Sequence, residues 1–161
     1  MAIKRSLGIT ALLILLGAGM ADAQLITPRF SVSAGLAMPL RNEADAYGTG
    51  FHVGAGIKLP ILPLQFEVAY DQMGADADGI DALKVTSAQA IVPIDLIPLP
   101  KLDLYALAGG GLYRAAGETD VGATAGAGVG IGSLFGEGRG VMVFRSGNKV
   151  TYLTAALGIR L

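Results

Sequence analysis

The 161-residue chain has no cysteine, a single histidine, and Asp, Glu, Lys and Arg at only 16% of its positions. Without cysteine it can form no disulfide and carry no lipid-modified cysteine, so packing and hydrogen bonds must hold it together. Beyond the first two dozen residues it also lacks any apolar run long enough to cross a bilayer as a helix. The phosphate-cradling signatures are missing as well. In "VGATAGAGVGIG", residues 121–132, Gly126, Gly128, Gly130 and Gly132 step by two throughout. A dinucleotide fingerprint would step by two and then by three, and no P-loop pattern occurs anywhere. The formal net charge is −1, and no basic patch or run points to nucleic acid.

The N-terminus, "MAIKRSLGITALLILLGAGMADAQ", holds Lys4 and Arg5, then an apolar stretch from Leu7 to Leu16, then Ala21-Asp22-Ala23. A positive start, a short greasy core and an A-x-A site make a secretory signal peptide. Residues 1–23 are therefore expected to be removed, leaving one domain at 24–161 with 10 basic and 12 acidic residues. This domain pairs 52% hydrophobic residues over the whole chain, and a mean hydropathy of +0.56, with few charges. A soluble domain of this size needs a more polar exterior. A membrane protein built of strands does not.

The pattern supplies the strands. In "FSVSAGLAM" Phe30, Val32, Ala34, Leu36 and Met38 alternate with Ser31, Ser33, Gly35 and Ala37. "FHVGAGIKL", "LQFEVAYD", the glycine-rich stretch from Val121 and "LTAALGIRL" repeat that two-residue period. Three further segments, 84–96, 102–114 and 136–145, are extended but ambiguous in face, and Pro93 predicts a bulge or an early strand end. The total is eight strands. The odd-numbered links, "RNEADAYG", "GADADGID", "AAGETD" and "RSGNK", are polar; the even ones, "PILP", "IPLPK" and "SLFGEG", are short and largely apolar. Loops of one character at one end and turns of another at the opposite end suit an eight-stranded antiparallel up-and-down transmembrane β-barrel. The competing architecture is a soluble lipocalin-like barrel carrying an apolar ligand, with the greasy face turned inward.

With its leader, its eight segments, the glycine-rich "YALAGGGLY" and the terminal Leu157-x-Ile159-x-Leu161, the chain resembles the small outer-membrane β-barrel proteins of Gram-negative bacteria, the OmpA/OmpX-type barrel domain. The resemblance implies residence in the outer membrane, contact with membrane lipid and lipopolysaccharide, and delivery by the barrel-assembly machinery, which would read Leu157, Ile159 and Leu161. Members usually end in an aromatic residue; this chain ends in leucine.

Eight strands enclose a bore just wide enough for side chains to fill, which argues against an open channel. The alternation turns Lys58, Glu67, Asp95, Asp103 and Arg160 inward, with Arg139 joining them, all expected near the ends opposite the long loops as a salt-bridge cluster. Asp95 is expected to oppose Asp103, with Arg139 and Arg160 to neutralise them and the glycines at 126–132 leaving space for long side chains. His52 should fall opposite Asp71, with Ser87 on the next strand. A His-Asp pair can orient a general base, but no serine spacing marks a nucleophile, so the pair reads as structural and an enzyme acting on lipid is the alternative. Asp76, Asp78 and Asp81 in "DADGID" meet neither the glycine nor the terminal glutamate requirement of a calcium loop. No cofactor or metal is expected, and the functional reading is a non-enzymatic envelope protein that presents surface loops.

Overall fold

The computed structural model describes residues 27–40, 44–76, 79, 81–99, 101–145 and 148–161; the leader and Asp78 lie outside these. Eight strands follow one another: β1 (Arg29–Pro39), β2 (Tyr47–Lys58), β3 (Gln65–Ala75), β4 (Leu83–Leu99), β5 (Leu102–Ala115), β6 (Glu118–Ile131), β7 (Leu134–Arg145) and β8 (Asn148–Arg160). Each pairs antiparallel with its successor, and β8 returns to β1, with Ser31 opposite Arg160 and Pro39 opposite Tyr152. The sheet is a closed eight-stranded antiparallel barrel, so it has no edge strand.

The two-residue period sorts side chains between two environments. On β6 Val121, Ala123, Ala125, Ala127, Val129 and Ile131 all face outward and are exposed, while Gly122 and Thr124 are buried inside. Phe30, Val32 and Leu36 on β1, Phe66 and Val68 on β3, and Leu153, Leu157 and Ile159 on β8 are likewise exposed. The exterior is thus an apolar band. The inside holds His52, Glu67, Asp71, Gln89 and Arg139. This is the reverse of a domain folded for water, and it meets the needs of a backbone surrounded by hydrocarbon, where every N–H and C=O must be satisfied within the sheet.

The ambiguous strands resolve in the same manner. On β5 Tyr105, Leu107 and Tyr113 point inward and Leu112 outward; on β7 Val141 and Val143 are buried and Phe144 is exposed. On β4 Ile91 is buried inside, whereas Ile94 is exposed. Pro93 does not interrupt this strand. It pairs with Leu107, and the register with β5 shifts further along, between Asp95 and Ile97. Pairing of β4 with β3 ends at Ile91, so at Pro93 one flank of β4 has no β3 partner and the missing N–H can face that side without breaking a ladder.

The fifth link is tighter than its composition suggests. Glu118, Thr119 and Asp120 belong to β6, and only Ala116 and Gly117 turn the chain, with φ of 49° and 86°. Two successive positive φ values are those of the hairpin turn that matches strand twist, and glycine adopts its half at no steric cost. The polar residues extend the hairpin past the apolar band.

Candidate functional site

The interior is the place where side-chain chemistry gathers, and it is filled. At the end beneath the polar loops, Ala37 from β1, Met73 from β3, Leu83 and Val85 from β4, Tyr113 and Ala115 from β5, Val141 and Val143 from β7 and Val150 and Tyr152 from β8 form one apolar cluster. Its aromatic hydroxyls are all used. Tyr113 donates to Gln89 Oε1 at 2.9 Å, and Gln89 Nε2 donates to the Ser87 hydroxyl at 3.0 Å. Tyr152 donates to Asp71 Oδ2 at 3.0 Å, while the other oxygen of Asp71 meets His52 Nδ1 at 2.7 Å.

His52 and Asp71 are directly paired across β2 and β3, and both are buried. The third member of this group is Tyr152 from β8, which the sequence did not reveal; Ser87 is engaged with Gln89 instead. Held by a tyrosine donor on one oxygen and an imidazole on the other, the carboxylate is satisfied as a structural tie between β2, β3 and β8. The edge of His52 that carries Nε2 lies over Gly54, where a side chain would collide with Ser33 Oγ and approach the ring.

The expected single cluster of charges separates into two. Midway along β7, Arg139 donates from Nη1 and Nη2 to both oxygens of Glu67 on β3, at 2.5 and 2.8 Å, and from Nε to Glu137 at 2.8 Å; its Nη2 also contacts Glu137. Tyr105 completes the group by donating to Glu137 Oε1 at 2.7 Å. Arg139 therefore lies midway along its strand rather than near its end, whereas Glu67, the third residue of β3, does lie near the end of its own and meets Arg139 across the bore. Glu137 was missed, although it shares the inward parity of Arg139 two residues away.

Nearer the mouth, Arg160 on β8 reaches Asp103 on β5 at 3.1 Å, with its guanidinium 5.5 Å from the Tyr105 ring centre and 5.4 Å from that of Phe135. A mouth cavity of about 300 Å³ lies here, bordered by Arg29, Lys58, Asp95, Asp103, Glu137 and Arg160. Asp95 does not oppose Asp103. Because the ladder runs on to Leu99 opposite Leu102, Asp103 lies across from Pro98 and Asp95 across from Tyr105, so the two like charges are not directly opposed. Neither Lys58 nor Asp95 has an ion-pair partner among the described residues.

The glycines of β6 are space for these crossings. A Cβ at Gly122 would lie 2.6 Å from the Tyr113 ring, at Gly128 within 2.6 Å of the Tyr105 hydroxyl, and at Gly130 2.9 Å from Arg160 Nη1. At Gly122, Gly128 and Gly130 a neighbour's side chain thus takes the space, whereas a Cβ at Gly126 would meet the β7 backbone and Gly132 lies beyond the strand with φ of 62° and nothing within 4 Å. Leu157, Ile159 and Leu161 at the C-terminus all face out and are exposed, and Asp76 and Asp81 are exposed beside the outer loop.

No family model matches the chain, and no curated protein does. Among solved structures, the neisserial surface protein A (NspA) superposes with a TM-score of 0.59 at 20% identity, covering 83% of this chain and 96% of NspA. Ail, the attachment invasion locus protein of Yersinia pestis, gives 0.49 at 15% identity over 83% of this chain and 98% of its own. The structure of the outer membrane protein Ail in a phospholipid bilayer nanodisc gives 0.48 at 16% identity, over 84% and 100%. The NspA match places the barrel among known eight-strand topologies at the level of fold.

Proposed function

We propose that the chain is an outer-membrane β-barrel whose work is structural: a closed, filled element of the envelope that carries loops at the cell surface. One observation carries the reading. The exterior is an apolar band around the barrel while the ionisable residues of the strand centres are turned inside, an arrangement stable in lipid and costly in water. The strands, 11 to 17 residues long, reach or exceed the length that a tilted strand needs to span a bilayer. A soluble carrier would need an empty apolar interior, and here the interior is packed with tyrosines, valines and an ionic centre.

Lipid and lipopolysaccharide are the partners such a surface would meet, and the barrel-assembly machinery would read the exposed Leu157, Ile159 and Leu161. A non-enzymatic role fits a His52–Asp71 pair closed off by Tyr152. Expressed with its leader in a Gram-negative host, the protein should fractionate with outer membranes and migrate differently in a detergent gel before and after boiling. Recovery in the soluble periplasmic fraction would overturn the membrane reading. Lipid acyl transfer or deacylation that disappears in His52→Ala would overturn the non-enzymatic one.

A further inference from the structure

The outward face of β3, β4 and β5 changes character next to the outer loops. Tyr70 and Gln72, Lys84 and Thr86, and Arg114 lie there in one patch, with Gln72 paired to Lys84, Tyr70 to Thr86, and Thr86 to Arg114. Lys84 and Arg114 are exposed and have no ion-pair partner among the described residues. Arg145, at the same end of the barrel, is by contrast held by Glu118 at 2.5 Å. The Tyr70 hydroxyl donates to Gln72 Oε1 at 2.9 Å, so the amide N–H groups of Gln72 remain as donors beside Lys84. A depression of about 880 Å³ is lined by these five residues together with Tyr47 and the carboxylate-bearing Asp81.

Two residues further from the loops on the same three strands stand Val68, Ala88 and Leu112, and with them begins an apolar groove of about 570 Å³. It continues past Phe66 and Ala90 to Ile57 and Phe30. Small residues, Ala88, Ala90 and Gly110, make it a depression between the bulkier Phe66, Ile57 and Leu112. Two cations and several donors therefore sit directly above a lengthwise apolar channel. A free anion would find no use for the groove. A neutral lipid would find none for the cations.

We propose that this face binds one lipid with a phosphate-bearing headgroup, its phosphate on Lys84 and Arg114 and an acyl chain in the groove below. The proposal rests on the membrane reading and names the lipid partner that reading calls for. Arg114 can grip phosphate oxygens with two parallel N–H bonds, Lys84 adds a point charge, and Gln72 and Thr86 supply neutral donors. Two cations near a membrane surface together correspond to a preference of roughly thirtyfold for an anionic lipid.

The test is native mass spectrometry of the full chain released from nanodiscs containing equal amounts of lipid A and its dephosphorylated form. The expected result is at least tenfold greater retention of the phosphorylated lipid, lost in the double variant Lys84→Gln/Arg114→Gln and kept in Lys101→Gln, which alters a cation at the opposite end. Ala90→Phe, which fills the groove, should lower retention of both lipids. Equal retention of the two lipids by the unaltered chain, or an unchanged preference in the double variant, would overturn the proposal. Displacement of bound lipid by millimolar inorganic phosphate would assign the ledge to free anions and overturn the lipid assignment, as would unchanged retention in Ala90→Phe. A heat-shifted gel band from the same nanodiscs separates the two readings: a chain that never inserts sinks the membrane reading, whereas one that inserts without phosphate selectivity sinks this proposal alone.

Discussion

Arg139 and Arg160 lie on adjacent strands, both face the bore and both bind carboxylates, yet they are placed in different solvents. Arg139 and its partners Glu67 and Glu137 have side chains 6%, 4% and 8% exposed, whereas Arg160 is 30% and Asp103 60% exposed. Around Arg139 two carboxylates converge on one guanidinium, with a tyrosine hydroxyl supplying the remaining donor. At the mouth the single contact opens onto a cavity, and the Arg160 guanidinium gains as much from the flanking rings of Tyr105 and Phe135 as from its acid. The same pair of residue types is thus a structural centre in one place and a surface ion pair in the other. Burial decides which.

The comparison is broken most forcefully at its dry end. Arg139→Ala leaves Glu67 and Glu137 facing each other without a cation, and should cost about 3 to 5 kcal/mol. Urea unfolding from lipid vesicles would measure it, and adding Glu67→Gln should recover part of the loss. A cost below about 1 kcal/mol would mean that water reaches the centre and that the two arginines are alike.

A smaller effect is expected where the two centres join. Tyr105 bonds Glu137 and also lies against Arg160, and its ring is accommodated only because residue 128 is glycine. Gly128→Leu should therefore cost about 1 to 3 kcal/mol through overpacking. Gly138→Ala, where a Cβ meets nothing within 4 Å, is the matched control. Equal stabilities of the two would show that the Tyr105 ring has other room. Gly128→Ser, on this geometry, is not a neutral change.

The least effect should come from the wet end. Arg160→Ala and Asp103→Asn are expected to show a coupling of less than about 1 kcal/mol in a double-mutant cycle, shrinking further in high salt. A coupling comparable with that of Arg139 and Glu67 would show that the mouth is closed to water.

Strand faces were legible wherever the two faces differ chemically. Val121 to Ile131 against four glycines and a threonine is such a case, and so is Phe30 to Leu36 against Ser31 and Ser33. Legibility failed where both faces are apolar. Val141 and Val143 pack inside while Met142 and Phe144 look out, and a run of that kind carries no period to read. The apolar cluster of Met73, Val85, Val143 and Val150 was hidden for this reason. The polar Glu118 to Asp120 suggested a loop because a strand that outruns the apolar band has no apolar face to announce it.

What the sequence determined by itself is the alternation, the closure it demands and the sign of each face, because these are local properties of a chain that must satisfy its backbone and sort its side chains between two media. It also placed His52 opposite Asp71, since a short turn fixes the register of neighbouring strands. Which inward side chains meet across the bore was decided only by the tertiary structure. Glu67 and Arg139 are 72 residues apart on strands that do not pair, and Tyr152 reaches Asp71 from 81 residues away. Such meetings depend on strand tilt, on the shift in register after Asp95 and on which glycines leave room, and those quantities exist only once the barrel has closed.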